Sequence, residues 1–341
     1  MRIAFLTSTP QNIASGSGTY VGIATLAAAL RNRRVIVDIF GPSIRLPMHT
    51  LSRRWFNERL RARDWSRYDA VVGFDLDGFR LSVPHIASLK GVIADEAHHE
   101  TGMTRRLLEL QAGWERRNVH GAKHVLTTSL YAAQRIQQLY GLQDTPRVVP
   151  ELIDLAAWTA LFDSVEAGTD PDRFVVLCVA RFYRRKRIDV LLEAARQLEA
   201  RIPGFEVRIV GDGPERGRLR AIAPRSAKFL GTVPRRELAR EYKRCDVFCL
   251  PSVQEGFGIV FLEAMAAGRA IVAVSASAAP EVVPHALFAE PEDADSLAQA
   301  LHTAWSDSAL RDSIECAGRE RVKRYDAPIV AGQFLDALTA P

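Results

Sequence analysis

The chain has 341 residues, 48% of them hydrophobic, and a formal charge of +5. That length exceeds most single domains and predicts two, each with a core of its own. No apolar run approaches the roughly 20 residues of a membrane span, and the mild positive charge fits an anionic substrate or an anionic membrane surface without calling for nucleic acid.

The cysteines (Cys178, Cys245, Cys249, Cys316) show no zinc spacing, and two of them sit in or beside an apolar run. They read as reduced core residues of a cytoplasmic protein. Strand and helix patterns alternate throughout, which predicts α/β layers with parallel sheets. Arg2–Thr7 is too short for a signal peptide and reads as the first strand. A loop with Gly16-Ser17-Gly18 leads into a helix over Thr19–Arg31. A dinucleotide fingerprint would place a third glycine at position 21, where Val21 stands.

Val35–Phe40 is the next strand, ended by Gly41-Pro42. Residues 45–67 are basic and carry Trp55, Phe56 and Trp65. They read as a solvated helix with aromatics beneath it, or as a surface that docks on anionic lipid. Strand Tyr68–Phe74 runs into Asp75-Leu76-Asp77. An Asp-x-Asp at a strand end suggests a divalent cation, but two oxygens from one short motif rarely complete a site, so no metal is assigned. Gly91–Ala94 reads as a strand ending in Asp95-Glu96-Ala97-His98-His99-Glu100. Adjacent His98 and His99 cannot face one way, so this cluster is either a polar loop or a source of one site residue. A helix over Met103–Val119, a strand over Val125–Ser129 and a helix over Tyr131–Tyr140 follow. Residues 161–172 have linker composition, placing domains at 1–160 and 173–325.

The second half opens on strand Phe174–Ala180 and then Arg181-Phe182-Tyr183-Arg184-Arg185-Lys186-Arg187. Five cations in seven residues precede a helix at Ile188–Leu198, whose dipole disfavours positive charge there. Such a cluster needs an anion, and a diphosphate would serve; a solvated charge run is the alternative. Strand Glu206–Val210 ends in Gly211-Asp212-Gly213-Pro214, which is turn chemistry. Lys228–Pro234, with Val233, is a short strand and turn, followed by a helix over Arg236–Lys243. An apolar run, Cys245–Leu250, then leads through Pro251 to Glu255-Gly256-Phe257-Gly258. The buried helix Ile259–Ala267 closes with Gly268 as its C-cap. This strand–loop–helix junction gathers free backbone N–H groups and a positive dipole end. Glu255 and Glu263 flank it. Two carboxylates in so apolar a setting need partners, and hydroxyls of a sugar would serve; a helix-start acid plus a partly exposed glutamate is the plainer alternative. Strand Ala270–Val274, a loop at Ser275–Pro280 and three helices complete the chain.

The stretch from Glu255 to Glu263, with Gly-Phe-Gly inside, resembles the E-x7-E element of family 4 glycosyltransferases. The resemblance implies a GT-B fold: two Rossmann-like domains facing across a deep cleft, with the C-terminal helix (326–341) crossing back to the first. It implies retaining transfer from a nucleotide diphosphate sugar, without metal or other cofactor. UDP-hexose is the commonest donor type, and GDP donors occur too. The acceptor would be a glycan, a lipid-linked molecule or a small molecule. By the same resemblance Glu255 holds the donor sugar and Glu263 the ribose. Arg181 and Lys186, five apart, match the phosphate-binding pair, leaving Arg184, Arg185 and Arg187 as exposed extras. Gly16 and Gly18 match a loop facing the donor phosphates, Gly211 borders the nucleotide, and Val233 meets the base through its backbone. Gly256, Phe257 and Gly258 form the donor loop. Asp95, with His98 and His99 just beyond, lies closest to the family's cleft residue, for positioning or as acceptor base. Departures are Ala180 and Arg187 at family glycines, and Glu151-Leu152 where the family has Asn-Gly. An NAD-dependent Rossmann enzyme is a rival that Val21 opposes, and a non-catalytic nucleotide- or glycan-binding protein is the other.

Overall fold

A computed structural model of the chain describes residues 1–9, 18–42, 49–168, 170 and 172–339. The chain divides into two compact units, Met1–Leu152 with Asp326–Pro341, and Ile153–Tyr325. The first unit holds strands β1 (Arg2–Leu6), β2 (Ile36–Phe40), β3 (Ala70–Phe74), β4 (Ile86–Leu89), β5 (His124–Thr127) and β6 (Arg147–Val148) in the order β2-β1-β3-β4-β5-β6. The second holds β7 (Phe174–Val179), β8 (Phe205–Val210), β9 (Ala227–Gly231), β10 (Val247–Leu250), β11 (Ala270–Val274) and β12 (Leu287–Ala289) in the order β12-β11-β10-β7-β8-β9. All these pairings are parallel.

Strands buried on both faces read as continuous apolar runs. β11, Ala-Ile-Val-Ala-Val, is buried at every position. Val176 of β7 pairs with Val207 on one side and Val247 on the other. Helix Ile188–Leu198 covers that core because Ile188, Leu191, Leu192, Ala195 and Leu198 recur at helical spacing and all are buried in it. In the first unit the centre is aromatic. Phe5 meets Phe74 edge-to-face at 5.0 Å and Phe334 at 5.8 Å. Phe334 belongs to helix Ala327–Thr339, which packs on helix Gly18–Asn32 and so joins this core.

Two expectations are corrected. The strand expected at Gly91–Ala94 lies earlier, at β4, whose four residues are all buried. Ile93–His98 is instead a helix with Asp95 and Glu96 in its first turn, where the dipole favours acids. The segment expected as a linker, 161–172, begins inside a helix. Leu155–Asp163 is helical, started by Asp154, whose carboxylate accepts the Ala157 N–H at 2.9 Å. At its other end Lys243 donates to the carbonyls of Phe162 and Val165, at 2.9 and 2.8 Å. Trp158 and Phe162 are buried against helices Arg235–Arg244 and Ile259–Ala266. Residues 153–160 thus stand with the second unit, not the first.

Parallel strands bring their carboxyl ends to one edge of a sheet. β8 and β10 both flank β7, so the loops after these three strands are neighbours. Gly211 shows how closely they meet. It has φ 133°, its N–H donates to the Gly231 carbonyl at 2.8 Å, and a Cβ there would stand 1.9 Å from the Ala180 carbonyl oxygen. Gly211→Ala is expected to lower the unfolding free energy by about 2 kcal/mol or more. Urea denaturation measures it, and a variant as stable as the wild type would refute this packing.

Candidate active site

The loop after β7 is shaped by hydrogen bonds to the loop after β8. The Phe182 N–H donates to the Asp212 carbonyl at 3.0 Å, and the Glu215 N–H donates to the Phe182 carbonyl at 3.0 Å. With Phe182 buried, Arg181 is left exposed at the strand end. Arg184–Lys186 forms one turn of 3₁₀ helix, and Arg187, at φ 47°, opens helix Ile188–Leu198. A glycine would take that conformation freely; an arginine holds it under strain.

Lys186 does not wait unpaired for an anion. Its Nζ lies 2.6 Å from Glu255 Oε1, with the two side chains 14% and 12% exposed. Arg187 pairs with Glu292 at 3.0 Å, and Arg185 stacks on Tyr183 at 4.7 Å. Arg185 and Arg187 are half-buried, not the exposed extras expected; only Arg184 is exposed as supposed.

The acidic loop is held on two sides. Before it, the Val253 N–H donates to the Arg185 carbonyl at 3.0 Å. After it, the Glu255 N–H donates to Ser277 Oγ at 3.0 Å, and the Ala278 N–H donates to the Glu255 carbonyl at 3.3 Å. Ser277 sits at φ 51°. Gly258, at φ 87°, caps helix Ile259–Ala266, and a Cβ there would strike the Phe261 ring at 2.7 Å. Phe257 is buried edge-on against Tyr325, ring centres 5.4 Å apart, so its side chain is occupied in packing.

Glu263 is 8% exposed, and Tyr242 donates its hydroxyl to Oε2 at 2.8 Å. Burial pushes the Glu263 carboxyl up to about 7, while Tyr242 and Arg235 act in the opposite direction. A carboxyl raised in the folded state contributes stability in full below its unfolded value, and loses it as pH rises through about 7. Val233 is half-buried in the turn before helix Arg235–Arg244. The second unit thus gathers Arg181, Lys186, Gly211, Val233, Glu255, Gly256, Gly258 and Glu263 on the loops and helix starts around β7 to β10.

The first unit places its candidates differently. Asp95 is buried within helix Ile93–His98, where it pairs with Arg135 at 2.7 Å and accepts from the Tyr131 hydroxyl at 2.7 Å. It is not at a strand end, because that strand stops at Leu89. His98 is exposed at the end of the same helix, and His99 half-buried after it. Gly18 begins helix Gly18–Asn32; Gly16 and Arg45 lie outside the described residues. Asp77 is occupied structurally, accepting from the Ser8 hydroxyl at 2.7 Å and the Asn57 amide at 2.8 Å. Asp75 accepts the Lys90 N–H at 2.8 Å. Among the described residues, no group of three His, Cys, Asp or Glu side chains stands where it could hold a metal ion.

Sequence reading missed Tyr242 and Ser277. Tyr242 left a faint signal, an aromatic three residues after Ala239 on an otherwise charged helix. Ser277 left none, since a small residue in a small-residue loop does not announce a positive φ.

A model of the glycosyl transferases group 1 matches residues 162–321. The GDP-mannose-dependent alpha-(1-6)-phosphatidylinositol monomannoside mannosyltransferase of Mycobacterium tuberculosis is 30% identical over 278 residues, covering 74% of this chain and 70% of that protein. The phosphatidyl-myo-inositol mannosyltransferase of Mycolicibacterium smegmatis is 36% identical over 197 residues, 55% of this chain and 50% of that protein. Among solved structures, a sucrose-phosphate synthase from Thermosynechococcus elongatus matches 99% of both chains with a TM-score of 0.80 at 21% identity. WaaG, a glycosyltransferase involved in lipopolysaccharide biosynthesis, matches 99% of this chain and 100% of its own with a TM-score of 0.75 at 18% identity. These likenesses show a GT-B fold. The chain belongs to the group 1 glycosyl transferases, the family that its E-x7-E stretch resembles, and is a hexosyltransferase-type enzyme.

Proposed function

We propose that this enzyme moves mannose from GDP-mannose to a phosphoinositol lipid or its mannoside, with retention of configuration and without a metal ion. The observation that carries the reading is the Lys186–Glu255 pair, 2.6 Å apart on loops after adjacent strands. It sets a phosphate-binding cation against a sugar-binding acid at one point. Lys186 and Arg181 take the diphosphate, Glu255 the hydroxyls of the sugar, and Glu263 the ribose. The choice of GDP-mannose over the commoner UDP-hexose rests on relatives whose names specify it.

The bond from the anomeric carbon to the phosphate oxygen breaks, and a bond to the acceptor oxygen forms on the same face. The departing phosphate takes the acceptor's proton. Lys186 and Arg181 offset the charge gained by the leaving diphosphate, each charge-assisted bond contributing roughly 1.5–3 kcal/mol. Cys178 is no nucleophile here, because burial pushes its thiol up to about 12.

The acceptor assignment draws on the relatives' names and on the first unit's surface. Helix His49–Leu60 carries Arg59 stacked on Trp55 at 4.8 Å, and nearby Arg63 covers Phe40 at 4.5 Å. A cavity of 540 Å³ lies among Phe40, Trp55, Phe56, Arg59, Leu60 and Arg63. Cations beside aromatics suit an anionic head on an apolar tail, and a peripheral seat on an anionic membrane. Among the described residues no helix is long and apolar enough to cross a membrane.

Mannose transfer from GDP-mannose to vesicles containing phosphatidylinositol should proceed in EDTA, while UDP-glucose should give less than a tenth of that rate. Glu255→Gln should lower turnover at least about tenfold, or about 1.4 kcal/mol of barrier. Unchanged turnover in that variant would remove Glu255 from the mechanism. GDP affinity should rise several-fold between about pH 6 and 8, as Glu263 ionises and accepts stronger bonds from ribose hydroxyls. Glu263→Gln should flatten that profile, measured by calorimetry.

A further inference from the structure

Tyr242 is wholly buried, the bulkiest fully buried side chain among the described residues, yet it lies on a helix of mostly charged residues. A buried hydroxyl is costly unless it is bonded. Its partners are Glu263 Oε2 at 2.8 Å and, more distantly, the Val260 carbonyl at 3.4 Å. The ring cannot swing away. Trp158 meets it edge-on with ring centres 6.1 Å apart, and Phe248 lies tilted against it at 5.8 Å. Arg235 closes the outer side of Trp158 at 4.8 Å.

We infer that Tyr242 is a positioning residue for the nucleotide site: its hydroxyl holds one oxygen of Glu263 and leaves the other to receive the ribose diol. The inference rests on the proposed role of Glu263. A glutamate at the fifth position of helix Ile259–Ala266 has three side-chain torsions to settle. One fixed donor removes that freedom and favours the ionised form, which accepts hydroxyl bonds better. Tyr242 itself stays protonated as the donor, because burial and the adjacent Glu263 push its own ionisation up.

The test is calorimetric binding of GDP and 2′,3′-dideoxy-GDP to wild type, Tyr242→Phe, Glu263→Gln and the double variant. Wild type should prefer GDP by about tenfold or more, the worth of a charge-assisted bond. In Tyr242→Phe the preference should fall to about threefold or less, while dideoxy-GDP binds as before. Adding Tyr242→Phe to Glu263→Gln should then change little, because the two act as a unit. A Tyr242→Phe protein that keeps the full preference, or that loses both nucleotides equally, overturns the positioning role while leaving the ribose site standing. A wild type that binds both nucleotides alike overturns the ribose assignment of Glu263 itself, and this inference with it.

Discussion

Lys186 and Glu255 are 69 residues apart in the chain and 2.6 Å apart in space. Everything around them follows from keeping that pair in place. A lysine and a glutamate held so closely, each mostly shielded from water, neutralise one another more strongly than an exposed pair would. The resting site is therefore not a bare cationic pocket. It is a balanced pair, and under the proposed function an incoming phosphate takes the cation while a hydroxylated group takes the acid. A ligand with only one of those features leaves the other partner unsatisfied. A nucleotide diphosphate sugar has both.

The backbone carries the cost of that arrangement. Arg187, next to Lys186, and Ser277, bonded to Glu255, both sit at positive φ. Each such residue costs roughly 1–3 kcal/mol and persists because its surroundings hold it there. The surroundings are the parallel strands: β7 between β8 and β10, packed through Val176, Val207 and Val247. An apolar core on this scale can support strained loops at its edge. Glu263 adds a cost of a different kind, a carboxyl whose burial lifts it to about 7.

Much of this was legible in the residues. The alternation of apolar runs and helical faces specified parallel layers, because β7 and β11 are buried on both sides and admit no polar alternation. Glu255, Glu263 and the glycines between them stood out because they interrupt an apolar stretch. The cation cluster at 181–187 was visible as charge, but its pairing was not. That Lys186 meets Glu255 while Arg187 meets Glu292 depends on loop geometry fixed by Arg187 itself. The strand placed at Gly91–Ala94 failed for a plain reason. Val92-Ile93 is apolar enough for either element, and the acids that follow favour a helix start. The helix over Leu155–Asp163 is capped by Asp154, but the Ser, Gly and Pro that follow carry a linker's composition, which masks its end in the sequence. Tyr242 and Ser277 act through contacts across the fold, which no local pattern encodes.

The central claim is that Lys186 and Glu255 exchange each other for the two halves of the donor. GDP, which offers phosphates but no donor sugar, isolates one half of that exchange. Its affinity should be measured by calorimetry in wild type, Lys186→Ala and Glu255→Gln. Lys186→Ala should weaken GDP by about tenfold or more, the worth of a charge-assisted bond. Glu255→Gln should bind GDP as tightly as wild type or more tightly, since the lysine is released. A Glu255→Gln protein that binds GDP tenfold more weakly would contradict the exchange and make the ion pair a structural brace.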